Sequence, residues 1–191
     1  MGRDSTWTVS ADLPPALEGL MVARIDRLPS HARRAAQVAA VIGRDFSYDL
    51  LQAVSETRDL RLSAAALLRA EFVRERRRYP RLEYTFTSGL LHEAVLATLT
   101  PARIRTLSGK IAGVLEAESQ ATAEESPALL AFYYYRSDEP KKALYYLERA
   151  AARAESLDAS THASELWRRA LKAAKATGDK EAIRRAEAAL R

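Results

Sequence analysis

Residues 38–46 read Val38-Ala39-Ala40-Val41-Ile42-Gly43-Arg44-Asp45-Phe46. An apolar run stops at a lone glycine, and two charges and an aromatic follow. A strand entering a phosphate-binding loop begins this way. So does the end of a buried helix. The loop reading needs companions: the pattern GxxxxGK[ST], in which backbone amides cradle phosphate while Lys and Ser/Thr serve the phosphate and metal. Gly43 has no glycine five positions before it and is followed by Arg44 and Asp45. Gly109-Lys110 is followed by Ile111 and fails as well, and no GxGxxG occurs. Gly43 therefore predicts a helix stop, because glycine accepts a left-handed C-terminal conformation at little cost. Phe46 is expected to pack at the entry of the next element.

Working outward, Ser30 is placed to cap that helix, and Ala35, Ala36, Ala39 and Ile42 form its inward face. Before it, Pro14 and Pro15 open a helix with Leu17, Leu20, Met21, Ile25 and Leu28 on one face, stopped by Pro29. Residues 1–12 read as a short extended segment in which Trp7 and Val9 alternate with polar residues. After Gly43, Ser47 is placed to cap a short helix carrying Leu50, Leu51 and Val54 inward. A further helix over Asp59 to Glu71 buries Leu60, Ala64, Leu67 and Leu68. The period then changes to two. Leu82, Tyr84 and Phe86 alternate with Glu83, Thr85 and Thr87, which predicts a half-buried strand paired with Phe72-Val73-Arg74. Helices followed by one small hairpin outline a winged helix.

Everything beyond the hairpin reads as helix. Ser88 caps one, and Thr100-Pro101 opens another carrying Ile104, Leu107, Ile111 and Val114, with Gly109 and Gly113 on a face that permits close approach. Residues 120–125 lack large apolar side chains and read as a linker. Ser126-Pro127, Pro140 and Ala159 then start successive helices, Gly178-Asp179 ends the last of these, and Lys180 to Leu190 forms one more. Such helices with tight turns suggest antiparallel pairs of a tetratricopeptide-like solenoid, although no 34-residue repeat is evident. One internal echo exists, Lys142-Ala143-Leu144 with Arg149-Ala150 against Ser164-Glu165-Leu166 with Arg169-Ala170. The expected organisation is an extended segment at 1–12, a winged helix at 13–99, a connecting helix and linker at 100–125, and repeats at 126–191.

Composition agrees with a folded, mainly helical chain. Of 191 residues, 48% are hydrophobic and 29% charged, which supports a core. Cysteine is absent, so disulfides, zinc-thiolate sites and a cysteine nucleophile are excluded, and a reducing cytosol fits. No apolar run reaches the ~20 residues of a membrane helix, and the start lacks a signal-peptide core. A cytoplasmic location is expected. Catalytic patterns are missing too. Ser88-Gly89 lacks the preceding glycine of a nucleophile elbow, and His31, His92 and His162 show no ligand spacing. The chain reads as non-enzymatic and without a cofactor.

Two concentrations of residues remain. The net charge is +5, and Arg74, Arg76, Arg77, Arg78 and Arg81 flank Tyr79 on the predicted wing. Such a loop can meet phosphates, with helix 58–71 as a DNA recognition helix presenting Arg58, Arg61, Ser63 and Arg69 opposite Glu71. Equally, the arginines can face a neighbouring acidic domain. Tyr133-Tyr134-Tyr135 and Tyr145-Tyr146 form an aromatic cluster. Tyr133, Tyr134 and Tyr145 are candidates to touch a protein partner, against the commoner role of half-buried packing with hydroxyls at the rim. Trp167 is expected in the core.

The order of these segments resembles the region that follows the nucleotide-binding core in bacterial STAND-type, AAA-like signalling ATPases. That group includes proteins fused to class III adenylate/guanylate cyclase or transcription-regulator domains. The resemblance rests on Leu13-Pro14-Pro15, Ala23 to Pro29 and Ala39 to Phe46. It continues through Tyr84 to Val95, similar to an FRHxLxxEAxY-like strand and helix, and Ala131 to Ala143. Phe86, Leu90, Glu93 and Ala94 match, while Ser88 stands in place of His and Leu96 in place of Tyr. The resemblance implies a regulatory, protein-interaction module. Its winged helix would pack on an ATPase domain and help hold the off state, and its repeats would receive a partner or signal. The alternative is a DNA-binding winged-helix regulator.

Overall fold

A computed structural model describes residues 15–56, 59–122 and 126–191. The protein is mainly helical, with one small antiparallel sheet. It divides into two compact units between Leu99 and Thr100. The expected extended segment at 1–12 lies outside the described residues, as do Arg58 and residues 123–125 of the expected linker.

The first unit contains α1 (Pro15–Asp26), α2 (Ser30–Ile42), β1 (Asp45–Ser47), α3 (Tyr48–Val54), α4 (Leu60–Arg69), β2 (Val73–Arg77), β3 (Glu83–Phe86) and α5 (Gly89–Ala97). Helix α2 is its axis. Ala32, Ala35, Ala36 and Ala39 are fully buried, and such small side chains admit α4 and α5 closely. Gly43 ends α2 by donating its N–H to the Ala39 carbonyl at 2.9 Å. Its backbone is at φ 145° and ψ −178°, a mirror-extended conformation open essentially to glycine alone. One residue therefore redirects the chain from helix into strand, rather than curling it through the left-handed helical conformation the sequence suggests.

That strand, β1, is absent from the expected hairpin. Phe46 packs not at a helix entry but as the centre of β1, buried against the rings of Tyr84 and Phe86. The sheet order is β1-β3-β2, so β3 is the central strand. Asp45 and Arg74 both oppose Thr85, one from each side, and Thr85 is buried instead of solvated. A two-stranded hairpin would have left it wet.

Local signals place most boundaries, but Ser30 is not the expected cap: it is the first residue of α2, Pro29 holds the cap position, and no side chain bonds there. Ser47 Oγ accepts the Leu50 N–H at 3.1 Å, Asp59 Oδ1 accepts Leu62 N–H at 3.0 Å, and Ser88 Oγ accepts Leu91 N–H at 3.4 Å. Helix α4 stops earlier than the sequence suggests. Glu71 takes a left-handed φ of 56°, and Phe72 donates its N–H back to the Leu67 carbonyl. Asp158 (φ 57°) and Gly178 (φ 72°) end α8 and α9 with the same paired backbone bonds. Only one of these three stops uses glycine, so two carry no sequence flag. Leu20, expected inward, is 55% exposed on α1, and Leu50 and Leu68 are half-buried.

The second unit comprises α6 (Pro101–Thr122), α7 (Pro127–Tyr135), α8 (Pro140–Ser156), α9 (Ser160–Thr177) and α10 (Lys180–Ala189). Helix α6 runs through residues 120–122, into the expected linker. Each helix packs on the next, with Ala143, Ala150, Ala151 and Ala154 of α8 and Ala163, Ala170, Ala173 and Ala174 of α9 buried. Alternate helices also touch through side chains. Lys142 of α8 reaches Glu116 of α6, Arg169 of α9 lies over Tyr135 of α7, and Arg185 of α10 binds Glu148 of α8. The sequence echo joins α8 to α9, which are immediate neighbours, so it does not mark corresponding helices of successive helix pairs. Gly113 is exposed with nothing near its α-carbon, so it serves no close approach. At Gly109 an added methyl would make only ordinary contact with Ser137 and Glu139. Trp167 is half-buried, its indole N–H bonded to Glu155 at 2.7 Å, rather than in the core.

Candidate interaction surfaces

The arginine run occupies β2 and the turn to β3. The sheet brings carboxylates to it from β3, from β1 beyond β3, and from β2 itself. Arg76 lies 3.1 Å from Asp45 of β1 and 3.9 Å from Glu83 of β3. Arg77 lies 3.5 Å from Glu83. Arg78 grips both oxygens of Glu75 through Nε and Nη2, at 3.2 and 3.1 Å. Arg74 and Arg81 are exposed and carry no ion pair among the described residues. Five guanidinium groups thus share this sheet with three carboxylates, Asp45, Glu75 and Glu83. Because the pairs are exposed, each stabilises the fold by little. Their larger effect is to cancel charge that a phosphate would otherwise meet. Tyr79, at the tip, is 86% exposed.

Helix α4 presents Arg61, Leu62, Ala65 and Arg69 to solvent. Ser63, expected outward, is fully buried; its hydroxyl donates to the Asp59 carbonyl at 3.1 Å and lies 3.5 Å from His31 Nδ1. Arg69 Nε is turned back onto the Ala65 carbonyl at 3.4 Å. No exposed Asn, Gln, Ser or Thr lies on α4, so the short polar side chains that read base edges are missing from it.

The tyrosine cluster separates into buried and exposed members. Tyr133 and Tyr134 are buried, which removes them as surface contacts, whereas Tyr145 is 53% exposed with Arg149 over its ring. What the sequence reading missed is the group at the centre, Glu116 of α6. Its Oε2 accepts from the Tyr134 hydroxyl at 2.7 Å and from Lys142 Nζ at 2.9 Å. Its Oε1 accepts from the Tyr146 hydroxyl at 2.6 Å. The Tyr134 and Tyr146 rings stack 5.5 Å apart, nearly parallel at 6°, and Lys142 Nζ sits 4.9 Å from the Tyr134 ring centre.

Three elements meet at this carboxylate. Burial pushes the Glu116 carboxyl upward, but the bonds from Tyr134, Tyr146 and Lys142 outweigh it, and the group is held below its ordinary value. Burial first, and the bond to Glu116 second, push Tyr134 up to about 12. Bonds to Tyr134 and Glu116 hold Lys142 above its usual range. All three groups are thereby fixed in the protonation states that bond best. Both Glu116 oxygens are occupied by donors, so the site is built as a fastener rather than as a proton acceptor for substrate.

The histidines are scattered. His92 is buried, donating Nε2–H to the Ala40 carbonyl at 2.9 Å and lying edge-on to Phe86. His162 lines an open recess of about 350 Å³ with Pro127, Ala150, Arg153, Ala154 and Leu157. Among the described residues no group of three or more His, Asp or Glu could hold a metal ion, and no helix is long and apolar enough to cross a membrane. Comparison with protein-family models, curated proteins and solved structures finds no match to this chain.

Proposed function

We propose that this chain is a non-catalytic regulatory and protein-interaction module, a winged helix followed by tetratricopeptide-like repeats. On this reading it couples partner or signal binding to a neighbouring nucleotide-binding domain, as in STAND-type signalling ATPases. The observation that carries the reading is connectivity. The path α2-β1-α3-α4-β2-β3, closed into a sheet of order β1-β3-β2, gives three helices and a returning hairpin, which supports the winged-helix reading. The α6 to α10 array, packed consecutively and cross-linked between alternate helices, supports the reading of stacked helical hairpins. A cytoplasmic location and a protein partner follow from the same reading.

The surface chemistry favours protein over DNA as the partner of the first unit. The outward face of α4 offers Leu62, 47% exposed, and Ala65 between two arginines. An apolar centre with arginine at its rim suits a protein interface. The second reading, DNA binding through the wing, rests on Arg74, Arg81 and exposed Tyr79. It predicts a number. With two arginines free, log K should fall with log salt at a slope of only about −2, against about −4.5 for five. Fluorescence anisotropy on short duplexes decides this. No duplex binding at low salt supports the protein reading. Tight binding with a steep slope, weakened by neutralising Arg76, Arg77 and Arg78, would sink it.

A further inference from the structure

Helix α6 is the longest among the described residues, at 22 residues, yet few of its side chains are buried. Among its described residues only Leu107, Ser108, Ile111 and Ala112 are buried. Helix α8 buries seven of 17 residues, α7 five of nine and α9 five of 18, while α10, with two of ten, is as thinly held as α6. One of the four buried residues of α6 opposes docking: the Ser108 hydroxyl has no hydrogen-bond partner among the described residues. Gly109 and Gly113 add no side chain to the interface.

Polar bonds supply what the apolar face lacks. Arg105 Nε meets Asp138 at 2.9 Å, but this pair is exposed and adds little. Glu116 is different. It is mostly withdrawn from solvent and takes three donors from α7 and α8, two of them stacked tyrosines. A fastening of this kind is all-or-none. While docked, every donor is satisfied. Once α6 lifts, water solvates all four polar groups.

We propose that α6 is a releasable arm, latched by Glu116 to Tyr134, Lys142 and Tyr146, which undocks from α7 and α8 as one body while α8 and α9 stay folded. This behaviour stands whether or not the chain serves an ATPase. If it does, α6 is the moving part that such coupling needs.

Hydrogen exchange of the full chain, followed by mass spectrometry at neutral pH, tests this. Peptides within 101–119 are expected to exchange at least about ten-fold faster than those of α8 and α9. Glu116→Gln keeps the shape and removes the charge, and should accelerate α6 exchange about ten- to a hundred-fold while leaving α9 unchanged. Tyr146→Phe removes one donor and should act in the same direction but less. Ser108→Ala should slow α6 exchange, because it removes the unpaired hydroxyl. The proposal is overturned if α6 is protected as well as α8 and α9 in the native chain. It is overturned equally if Glu116→Gln accelerates all the helices together or unfolds the unit as a whole.

Discussion

Replacing Gly43 by alanine isolates one backbone angle. The substitution meets no obstacle of space: an added Cβ would lie 3.7 Å from the Asp45 carbonyl oxygen, an ordinary contact. The cost is conformational, because φ 145° with ψ −178° is closed to L-residues bearing a Cβ. Holding alanine there is expected to cost about 1–3 kcal/mol, and valine at least as much. If the chain relaxes instead, the next bond to suffer is Phe86 N–H to the Arg44 carbonyl, now 2.9 Å, and with it the pairing of β1 on β3. Phe46 would then leave the core. Hydrogen exchange resolved by NMR reads this at the Phe86 amide. Loss of 1–3 kcal/mol corresponds to exchange faster by about five- to 150-fold. A variant with Phe86 protection within two-fold of the native chain would refute the claim that this angle, not merely a small residue, makes the turn. A separate measurement bears on Gly43 as a phosphate loop. Calorimetry should detect no ATP binding by the native chain, so no nucleotide affinity exists for the variant to lose.

The same glycine-to-alanine change has the opposite sign at Gly113, which is exposed in mid-helix; thermal unfolding should show stabilisation of about 0.5–1 kcal/mol. Ser108→Ala removes a buried hydroxyl without a partner and should stabilise the second unit by about 1 kcal/mol in urea titration. The Glu116 cluster makes the second unit sensitive at both pH extremes. Glu116 is held below its ordinary value, so its contribution is present above the unfolded carboxyl pKa and is lost as pH falls through the lower folded value. Tyr134 is raised, so its contribution is complete below about 10 and is lost as pH rises towards about 12. Urea midpoints across pH should show both limbs, and Glu116→Gln should flatten the acid one.

What the sequence disclosed was what short-range chemistry controls. Ser47 and Ser88 are caps, Pro127 and Pro140 sit in the first turns of helices, and Gly178 is a left-handed stop; each signal acts within four residues. Strand β1 escaped because three residues carry no periodicity and owe their state to pairing with residues nearly forty positions on. Thr85 looked solvated for the same reason, since its burial follows from β3 being central. Glu71 and Asp158 bear the left-handed angle without glycine, so α4 was read past its end. The tyrosines were conspicuous, but their organising carboxylate lies 18 and 30 residues from the two hydroxyls that bind it. Nothing about Glu116 in sequence separates it from a solvated helix glutamate. The arginine run was equally conspicuous, and its partial neutralisation by Asp45 and Glu83 required the strand order.

The central claim is that this chain governs a nucleotide-binding neighbour. The most direct test is ATP turnover by the protein encoded in the whole reading frame, intact and with residues 100–191 deleted. The account predicts a phosphate-loop domain in that frame, and a turnover that changes several-fold when the helical array is removed. An unchanged rate, or a reading frame without such a domain, would contradict it.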